Sequence, residues 1–453
     1  MRSLLLLLVA ADLFAVLGTA DAKITLASKG KARMVVLVQP GATAPERRAA
    51  AELADTLAKV CGGEFKVEER AKDAPSRALI VGDGPLAKQC FPGVDLSKLG
   101  SEEGVIRTQG QRMLLAGGRP RGTLYAVYRF LQDDLGIRWW APWASTIPSR
   151  PTLSLPEVNR DIKSAFEMRE PFWFPAFDGD WANRNGVNGQ AARLTPEMGG
   201  KVIYKGFVHT FYPLVPPDTY FATHPEWYSL VGGKRTTQNA QLCLTNRELR
   251  DFVVGRVKEW LRESPDASIL SLSQNDCFNP CECPNCKAID DREGSHSGTL
   301  LDFVNYVAEK IEPEFPKVSI DTLAYQYTRQ APKMLKPRKN VIVRLCSIEC
   351  NFAAPLTDPS NASFAKDMTD WSRVADRLYV WDYTTNFTDY VLPHPNWFAL
   401  GPNVRFFRDH KVRGLFEQGA YQSHGSEMSE MRSWVLARLL WNPDQDDSKL
   451  IDE

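Results

Sequence analysis

The apolar positions of residues 23–155 follow two different spacings. Residues 45–60 and 121–135 carry an apolar residue at every third or fourth position, which predicts two amphipathic helices, and Gly136 follows the second as a typical helix end. Short apolar runs bounded by turn residues predict strands at 23–27, 34–38, 65–68, 78–81, 104–108 and 112–116. We therefore expect a small α+β domain over residues 23–155.

The pattern changes after residues 146–156, a segment with three prolines that predicts a linker. Beyond it, strand-like runs alternate with amphipathic segments such as 299–311 and 428–441. The strand-like runs are 166–174, 202–211, 240–244, 268–273, 318–325, 341–346, 378–381 and 414–416. This alternation predicts an α/β fold of the (β/α)8 TIM-like barrel type over residues 160–453. The alternative is an open, doubly wound sheet.

The composition is that of an ordinary globular protein. The 453 residues are 43% hydrophobic and 24% charged, and 55 Lys and Arg balance 55 Asp and Glu. A chain without net charge has no long-range field that would attract a polyanion. We therefore expect no nucleic-acid partner, and the length predicts two or three domains.

Residues 1–22 have the order of charged and apolar residues of a secretory signal peptide. Arg2 precedes an apolar run at 4–11, and small residues end the segment at 20–22. A short membrane anchor is the alternative, but the run is short and Asp12 interrupts it. No later stretch of sequence is long and apolar enough to span a bilayer, so we expect a secreted or periplasmic protein without a membrane span.

Three residues near predicted strand ends are candidates for acid–base chemistry. In a (β/α)8 barrel the site lies where the strands end and the following loops begin. Asp276 follows the fourth predicted strand beside Asn275, and Glu417 ends the eighth. Glycoside cleavage requires two carboxyl groups, so we predict Asp276 as the general acid and Glu417 as the base or nucleophile. The alternatives are a turn or helix cap for Asp276 and a structural ion pair for Glu417.

Other strand ends carry aromatic, amide and charged side chains that suit a sugar. Aromatic rings can stack on the apolar faces of sugar rings, and polar side chains can bind the hydroxyl groups. The predicted substrate-binding residues are Arg184, His209, Trp181, Tyr325, Glu349, Trp381, Asp382 and Tyr421. The alternatives are a core position for His209 and an ion pair between Arg184 and Asp180.

Four cysteines lie within ten residues, at Cys277, Cys281, Cys283 and Cys286. Four thiols at this spacing can enclose Zn²⁺. The export signal favours oxidation, so we favour disulfides over zinc, and zinc over free thiols. In each case the cluster would brace the loop that carries Asp276. We predict no other metal or cofactor.

Several segments resemble known families. Residues 121–128 (RGTLYAVY) and 135–142 (LGIRWWAP) resemble the end of the small α+β domain that precedes the barrel in β-hexosaminidases and α-glucuronidases. Other segments resemble a bacterial family called domain of unknown function 4838, and with them the resemblance extends from about residue 23 to the C-terminus. They are 209–211 (HTF), 224–229 (HPEWYS), 241–246 (QLCLTN), 273–276 (SQND) with the cysteines behind it, and 416–421 (FEQGAY).

The resemblance implies a glycoside-hydrolase-like barrel. In hexosaminidases an Asp-Glu pair closes the fourth strand; the Glu is the acid, and the Asp orients the acetamido group that attacks. The matching pair here is Asn275-Asp276. Asp276 stands in the position of the acidic Glu and has a shorter side chain, and Asn275 places an amide where hexosaminidases have the orienting carboxylate. An amide stabilises the developing charge less well, so the resemblance argues against substrate assistance.

The α-glucuronidase resemblance implies inversion by two separated carboxylates. Asp276 and Glu417 fit this role if they lie about 6.5–9.5 Å apart. Arg184 would then face a uronate carboxylate. The resemblance also implies helices after Trp441, so we expect a C-terminal helical tail that is absent or truncated in a chain that stops at Glu453.

The sequence therefore predicts an exported glycoside-hydrolase-like protein that cleaves a glycan, either a hexosaminide or a uronide, by carboxylate acid/base catalysis. One alternative is a non-catalytic carbohydrate-binding protein on the same barrel, which Asn275 favours. Another is a structural surface protein that contacts its partners through aromatic side chains.

Overall fold

The computed structural model describes residues 23–453, so the predicted signal peptide at residues 1–22 lies outside the described residues. Within them, a mixed sheet with helices comes first along the chain, and a curled parallel sheet with helices follows.

The N-terminal region contains two sheets and a hairpin. Its strands are β1 (Lys23–Ser28), β2 (Lys31–Ala32), β3 (Val35–Val38), β4 (Val67–Glu69), β5 (Ala78–Val81), β6 (Gly104–Gln109), β7 (Arg112–Gly117), β8 (Arg138–Ala141), β9 (Ala144–Thr146), β10 (Leu153–Pro156) and β11 (Asn159–Ile162). Its helices are α1 (Ala44–Cys61), α2 (Pro85–Cys90) and α3 (Gly122–Arg129), and a π-helical turn at Phe130–Asp134 continues α3. The larger sheet has the order β11-β6-β7-β5-β3-β4 and the smaller one β10-β1-β2, while β8 and β9 pair with each other.

Helix α1 shows why the local sequence folds as it does. Thr43 caps its N-terminus, where its hydroxyl accepts from the backbone N–H of Glu46 and the Glu46 carboxylate accepts from the N–H of Thr43. Gly62 ends the helix with a φ of 78°, a left-handed conformation that glycine adopts without strain. The buried stripe of α1 packs with α3 against one face of the larger sheet.

The predicted linker is wrong for residues 153–156, which pair with β1 as strand β10. Leu153 and Leu155 are buried in the core, whereas Ser154 and Pro156 are exposed. This alternation is the period of a half-buried strand, and it outweighs the high proline content of the segment.

The C-terminal region is built on one parallel sheet. Its strands are β12 (Met168–Phe172), β13 (Tyr204–Lys205), β14 (Leu230–Val231), β15 (Lys234–Arg235), β16 (Ile269–Ser271), β17 (Ser319–Ala324), β18 (Val341–Cys346), β19 (Leu378–Tyr383) and β20 (Val412–Gln418). Its helices are α4 (Gly179–Asn185), α5 (Phe211–Leu214), α6 (Pro217–Tyr220), α7 (Arg247–Glu263), α8 (Pro284–Glu293), α9 (Ser297–Ile311), α10 (Ala362–Val374), α11 (Trp397–Asp409), α12 (Ser429–Trp441) and α13 (Asp447–Asp452). Among the described residues, no helix combines the length and the apolar character needed to cross a membrane.

Seven of these strands form a parallel sheet of order β12-β20-β19-β18-β17-β16-β13. The sheet is curled, since side chains from its two edge strands come into contact in its interior. The Tyr204 hydroxyl of β13 lies 3.9 Å from the Met168 sulfur of β12. Alternate residues face that interior, including Tyr379 and Phe416, whereas Leu415 faces the helices. The fold is thus a mixed α/β protein with a curled parallel sheet covered by helices.

Two predicted strands of this sheet differ in the structure. The strand expected at 202–211 is reduced to Tyr204–Lys205, because Gly206, Val208 and His209 all take positive φ angles and turn the chain away. The run at 240–244 is not a strand of the sheet. Its Leu242 makes one antiparallel bridge to Tyr228 instead, so the described sheet has seven strands where the sequence predicts eight.

A buried charge cluster joins the two regions. Glu102 accepts from Arg169 at 2.8 Å and from Arg121 at 2.7 Å, and Asn188 donates to it at 2.8 Å. The Trp441 ring at the end of α12 lies under the Arg169 guanidinium and in the core of the N-terminal region. The two regions therefore share buried polar and aromatic contacts.

Candidate functional site

Asp276 and Tyr325 meet at the carboxyl end of the curled sheet, which we call the mouth. Asp276 lies in the loop after β16, and Tyr325 directly follows β17. The Tyr325 hydroxyl donates to Asp276 Oδ1 at 3.1 Å and accepts from Gln326 Nε2 at 3.0 Å. Asp276 itself is exposed. The contact therefore occupies one carboxylate oxygen and leaves Oδ2 free to face a ligand.

The phenol of Tyr325 remains a hydrogen-bond donor over the physiological pH range. Burial raises the pKa of Tyr325 above its ordinary value, and the neighbouring Asp276 carboxylate raises it further. A protonated phenol whose oxygen already accepts from Gln326 directs its hydrogen to Asp276. The geometry thus fixes the orientation of the Asp276 carboxylate.

His209 lies beside this pair in a strained backbone conformation. Val208 and His209 have φ angles of 57° and 55°, which are uncommon for residues other than glycine and are unfavourable for the β-branched Val208. A hydrogen bond from the His209 N–H to Ser273 Oγ at 2.8 Å stabilises this backbone conformation. The ring Nδ1 lies 2.7 Å from the Gln274 carbonyl, and a carbonyl only accepts, so Nδ1 carries the hydrogen. The Nε2 atom is left as an acceptor, and the ring centre lies 6.2 Å from that of Tyr325.

A second exposed acid belongs to the mouth. Glu349 follows β18, and its carboxylate lies 3.0 Å from Arg329, which also binds Asp367 at 2.7 Å. The charge of Glu349 is close enough to contribute to the raised pKa values of Tyr325 and Tyr383, for both of which burial is the main cause. Asp276 and Glu349 therefore approach Tyr325 from different strands.

Aromatic rings form a row along the mouth. Phe207, Trp381, Tyr383 and Phe352 stack in that order, with ring centres 5.5, 6.2 and 5.8 Å apart and interplanar angles of 24°, 23° and 10°. The Trp381 indole donates to Gln418 Oε1 at 2.7 Å, and this bond fixes the ring. Nearby, the Tyr421 ring packs at 4.9 Å against Phe172. Flat apolar faces beside amide and carboxylate groups are suited to a sugar.

Asn275 is held by the backbone around it. Its Oδ1 accepts from the Tyr212 N–H at 3.2 Å, and its Nδ2 donates to the Ala240 carbonyl at 3.0 Å. The Asn275 N–H donates to Gln241 Oε1 at 2.9 Å, and the residue is 9% exposed. Asn275 therefore positions the loop of Asp276, and its amide does not face the mouth.

The structure places Asp382 and Glu417 away from the mouth. Each alternates with residues that face the interior, so both point towards the helices and are almost fully buried, with 4% and 1% exposure. Their carboxyl groups are hydrogen bonded to each other, and the Ser347 hydroxyl donates to Asp382. Burial raises the pKa of both groups, and the Asp382 charge raises that of Glu417 further. The predicted catalytic role of Glu417 and binding role of Asp382 do not fit this placement.

Trp181 and Arg184 lie on α4, between the two regions. Arg184 binds Glu52 of α1 at 3.0 Å, and Asp180, which was the alternative partner of Arg184, binds Arg48 at 2.6 Å. Trp181 is 2% exposed and donates to the Trp140 carbonyl at 3.2 Å. These side chains line a separate cavity of about 480 Å³ between α1, the β8–β9 hairpin and α4. The structure therefore does not bring Trp181 and Arg184 to Asp276.

Beneath the mouth, the interior holds charged residues that sequence reasoning missed. Arg344 of β18 and Asp321 of β17 are both fully buried, 3.2 Å apart. The Arg344 guanidinium lies 5.1 Å from the Tyr204 ring centre and 4.9 Å from that of Phe207. Glu170 of β12 is buried nearby, and burial raises its pKa. The available signal was a charged residue at an inward-facing position within an otherwise apolar strand run.

The set of clustered cysteines in the structure differs from the set predicted from the sequence. Cys281, Cys283 and Cys286 lie together with Cys243, a residue that the sequence did not connect with them. Cys277 is outside this group, and its thiol lies 3.5 Å from the Ala240 carbonyl. Among the described residues, all cysteines are unpaired. The choice between disulfides and a metal ion at the cluster stays a prediction.

A profile of the family described as "Domain of unknown function (DUF4838)" matches residues 139–453. No curated protein sequence matches the chain significantly.

Solved structures with a similar fold include glycoside hydrolases. A family GH115 4-O-methyl-α-glucuronidase with specificity for decorated arabinogalactans shares 12% identity at a TM-score of 0.56, over 94% of this chain and 58% of that one. The structure named CpGH84B shares 13% identity at a TM-score of 0.52, over 95% of this chain and 70% of that one. A GH20 exo-β-N-acetylglucosaminidase from Vibrio harveyi shares 10% identity at a TM-score of 0.47, over 95% and 73%. The likeness to the first two shows a glycoside-hydrolase-like fold, and the chain spans less than two thirds of the glucuronidase.

Proposed function

This chain belongs to the DUF4838 family, and from that premise we propose that it hydrolyses a glycosidic bond at the mouth of its curled sheet. The substrate class is a glycan that contains a hexosaminide or a uronide. The sheet and its helices act as a (β/α)8 barrel in which the segment at 240–244 takes the position of the third strand. The protein is exported and works in a secreted or periplasmic location.

The observation that carries the proposal is an exposed carboxylate held by a phenol beside a row of aromatic rings. Asp276 acts as the general acid: Tyr325 occupies Oδ1, and a proton on Oδ2 passes to the glycosidic oxygen as the bond breaks. The leaving sugar departs as an alcohol. A water molecule forms the new bond to the anomeric carbon of the other sugar, and a second carboxylate takes the proton that the water loses.

Glu349 supplies the second carboxylate, in place of Glu417. Its contact with Arg329 at 3.0 Å holds the carboxylate in place at the mouth. Glu417 is unsuited to this role because it is buried on the helix side of the sheet with Asp382. The separation of the Asp276 and Glu349 carboxyl groups in a substrate complex then sets the stereochemical outcome.

The aromatic row provides the sugar platform. Trp381 and Tyr383 offer half-buried ring faces, and Gln418 and the free Nε2 of His209 accept hydrogen bonds from sugar hydroxyl groups. Stacking supplies affinity for the ring, and the acceptors select its orientation.

A non-catalytic carbohydrate-binding protein is the second candidate function. The placement of Glu417 favours a binding function, because this residue, one of the two catalytic acids expected from the sequence, is buried away from the mouth. A binding protein would use the same aromatic row but would release no product.

A screen against aryl glycosides and uronic-acid oligosaccharides tests the proposal. Product release by the wild type, lost in Asp276→Asn and kept in Asp291→Asn, supports hydrolysis. Asp291 is a suitable control because its exposed carboxylate on α8 pairs only with Lys287. Glycan-array binding without product release would support the binding protein, and unchanged turnover in Asp276→Asn would overturn the assignment of the acid.

A further inference from the structure

Four cysteine sulfurs converge in a closed, buried group. Cys243, Cys281, Cys283 and Cys286 are all buried, and their Sγ atoms lie within 4.8 Å of one another. The Sγ atoms of Cys243 and Cys283 are 3.6 Å apart. From this group we infer that the protein holds a structural zinc ion in a tetrathiolate site, independently of any glycan that it binds.

The sulfur spacing fits a metal better than disulfides. Tetrahedral Zn²⁺ with Zn–S bonds of about 2.3 Å places its sulfurs about 3.8 Å apart. A disulfide needs a bond of about 2.05 Å and divides four sulfurs into two separate pairs. The observed group is one cluster, in which every sulfur lies near the other three.

The donor set also points to zinc. Four sulfur atoms and no oxygen or imidazole ligand disfavour Mg²⁺ and Ca²⁺, which bind oxygen. The four ligands leave no open position, so the ion has a structural role and no part in the hydrolysis. Cys281-x-Cys283-x-x-Cys286 supplies three ligands from one segment, which includes the start of α8, and Cys243 supplies the fourth from a distant segment.

Groups around the sulfurs suit a negatively charged cluster. Four thiolates and one Zn²⁺ leave a net charge of −2, which buried surroundings must compensate. The Leu230 N–H donates to Cys281 Sγ at 3.4 Å, and Arg235 Nη1 lies 3.6 Å from the same sulfur. The Thr245 hydroxyl lies 3.1 Å from Cys286 Sγ.

The ion would connect three segments behind Asp276. They are the β14–β15 hairpin with Leu230 and Arg235, the segment of Cys243, and the cysteine loop that leads into α8. Gln241, two residues before Cys243, binds the backbone of Asn275 and the Cys277 carbonyl at 2.7 Å. Zinc would therefore hold in place the loop that presents Asp276.

Metal content and the chemical state of the thiols test the site in the full-length protein. We expect about one zinc per chain by mass-spectrometric metal analysis. Replacement by Co²⁺ should give the intense sulfur-to-metal charge-transfer bands and visible bands of a tetrahedral tetrathiolate. Cys243→Ser should lower the zinc content at least tenfold, whereas the matched control Cys277→Ser should leave it unchanged.

Several results would overturn the inference. If the purified protein contains no metal and the four cysteines react with an alkylating reagent only after reduction, they form two disulfides and the zinc site is refuted. Equal zinc loss in Cys277→Ser and Cys243→Ser would refute the ligand set, and iron in place of zinc would refute the metal. If Cys243→Ser does not fold, release of zinc from the wild type by a mercurial reagent decides instead: about four thiols should react per zinc released.

Discussion

The carboxyl groups of Asp382 and Glu417 are hydrogen bonded to each other between the curled sheet and its helices. They occupy paired positions on the neighbouring strands β19 and β20, so both side chains point to the same side of the sheet. Two acids this close share a proton at neutral pH, because both cannot be ionised in a buried site. The pair is therefore a structural feature with a pH dependence of its own.

The stabilising contribution of Glu417 should fall as the pH rises above about 4.3, the ordinary pKa of a glutamate. Glu417 holds its proton more tightly when folded, since its pKa is raised, so its stabilising contribution is complete below that pH and is lost as the pH rises through the folded pKa. The slope in this window is about −1.4 kcal/mol per pH unit for one proton. Urea unfolding of the wild type and Glu417→Gln from pH 5 to pH 9 measures it.

Glu417→Gln should remove this slope and be the more stable protein at pH 8–9. Its amide can donate to Asp382 as the protonated carboxyl does, and it cannot ionise. Glu417→Gln should also keep wild-type hydrolysis within a few-fold. If the unfolding free energies of the two proteins change with pH by the same slope, the shared proton is refuted. A large loss of turnover in Glu417→Gln would instead support a catalytic role for Glu417.

Tyr325→Phe should lower kcat about tenfold and leave KM almost unchanged. The substitution keeps the ring and removes only the hydroxyl that orients Asp276, so it affects the transition state more than substrate binding. Tyr306→Phe is the matched control, because Tyr306 makes the same kind of contact with Asp251 on α7, away from the mouth. A rise in KM with constant kcat would assign Tyr325 to binding instead.

Trp381→Ala should weaken glycan binding about tenfold or more, equivalent to about 1.4 kcal/mol. The substitution removes a ring from the stacked row and frees Gln418 Oε1. Trp143→Ala is the control, because Trp143 is 64% exposed and lines the cavity between the two regions. Equal loss of affinity in the two variants, measured by calorimetry, would contradict a sugar platform at the mouth.

Arg344→Met should destabilise the protein by about 3–5 kcal/mol, because it leaves the Asp321 charge buried without its partner. The double variant Arg344→Met/Asp321→Leu should recover much of that loss, since it removes both charges from the interior. Denaturant unfolding of the two variants gives the comparison. A double variant less stable than Arg344→Met would show that the pair contributes more than charge compensation.

Local patterns were sufficient for several of the longer helices and for most strands of the two larger sheets. The apolar stripe of α1 and the β6–β7 hairpin appear almost where their periodicity places them. Residues 240–244 form no strand of the sheet, because their backbone bonds to residues 227–229: the Cys243 N–H donates to the Trp227 carbonyl at 2.8 Å. Nothing local in that run distinguishes a sheet partner from a loop partner.

By itself, the sequence determined helices α1, α3, α9 and α12, most strands of the two larger sheets, the resemblance to the DUF4838 family and the position of Asp276 after an apolar strand. These depend on local spacing and on contiguous motifs. Only the tertiary structure decided that Glu417 faces the helices, that Glu349 lies with Asp276 near Tyr325, and that Cys243 completes the sulfur group. The physical reason is that strands buried on both faces show no alternation of polar and apolar residues, so the face of each side chain follows from the register of the whole sheet.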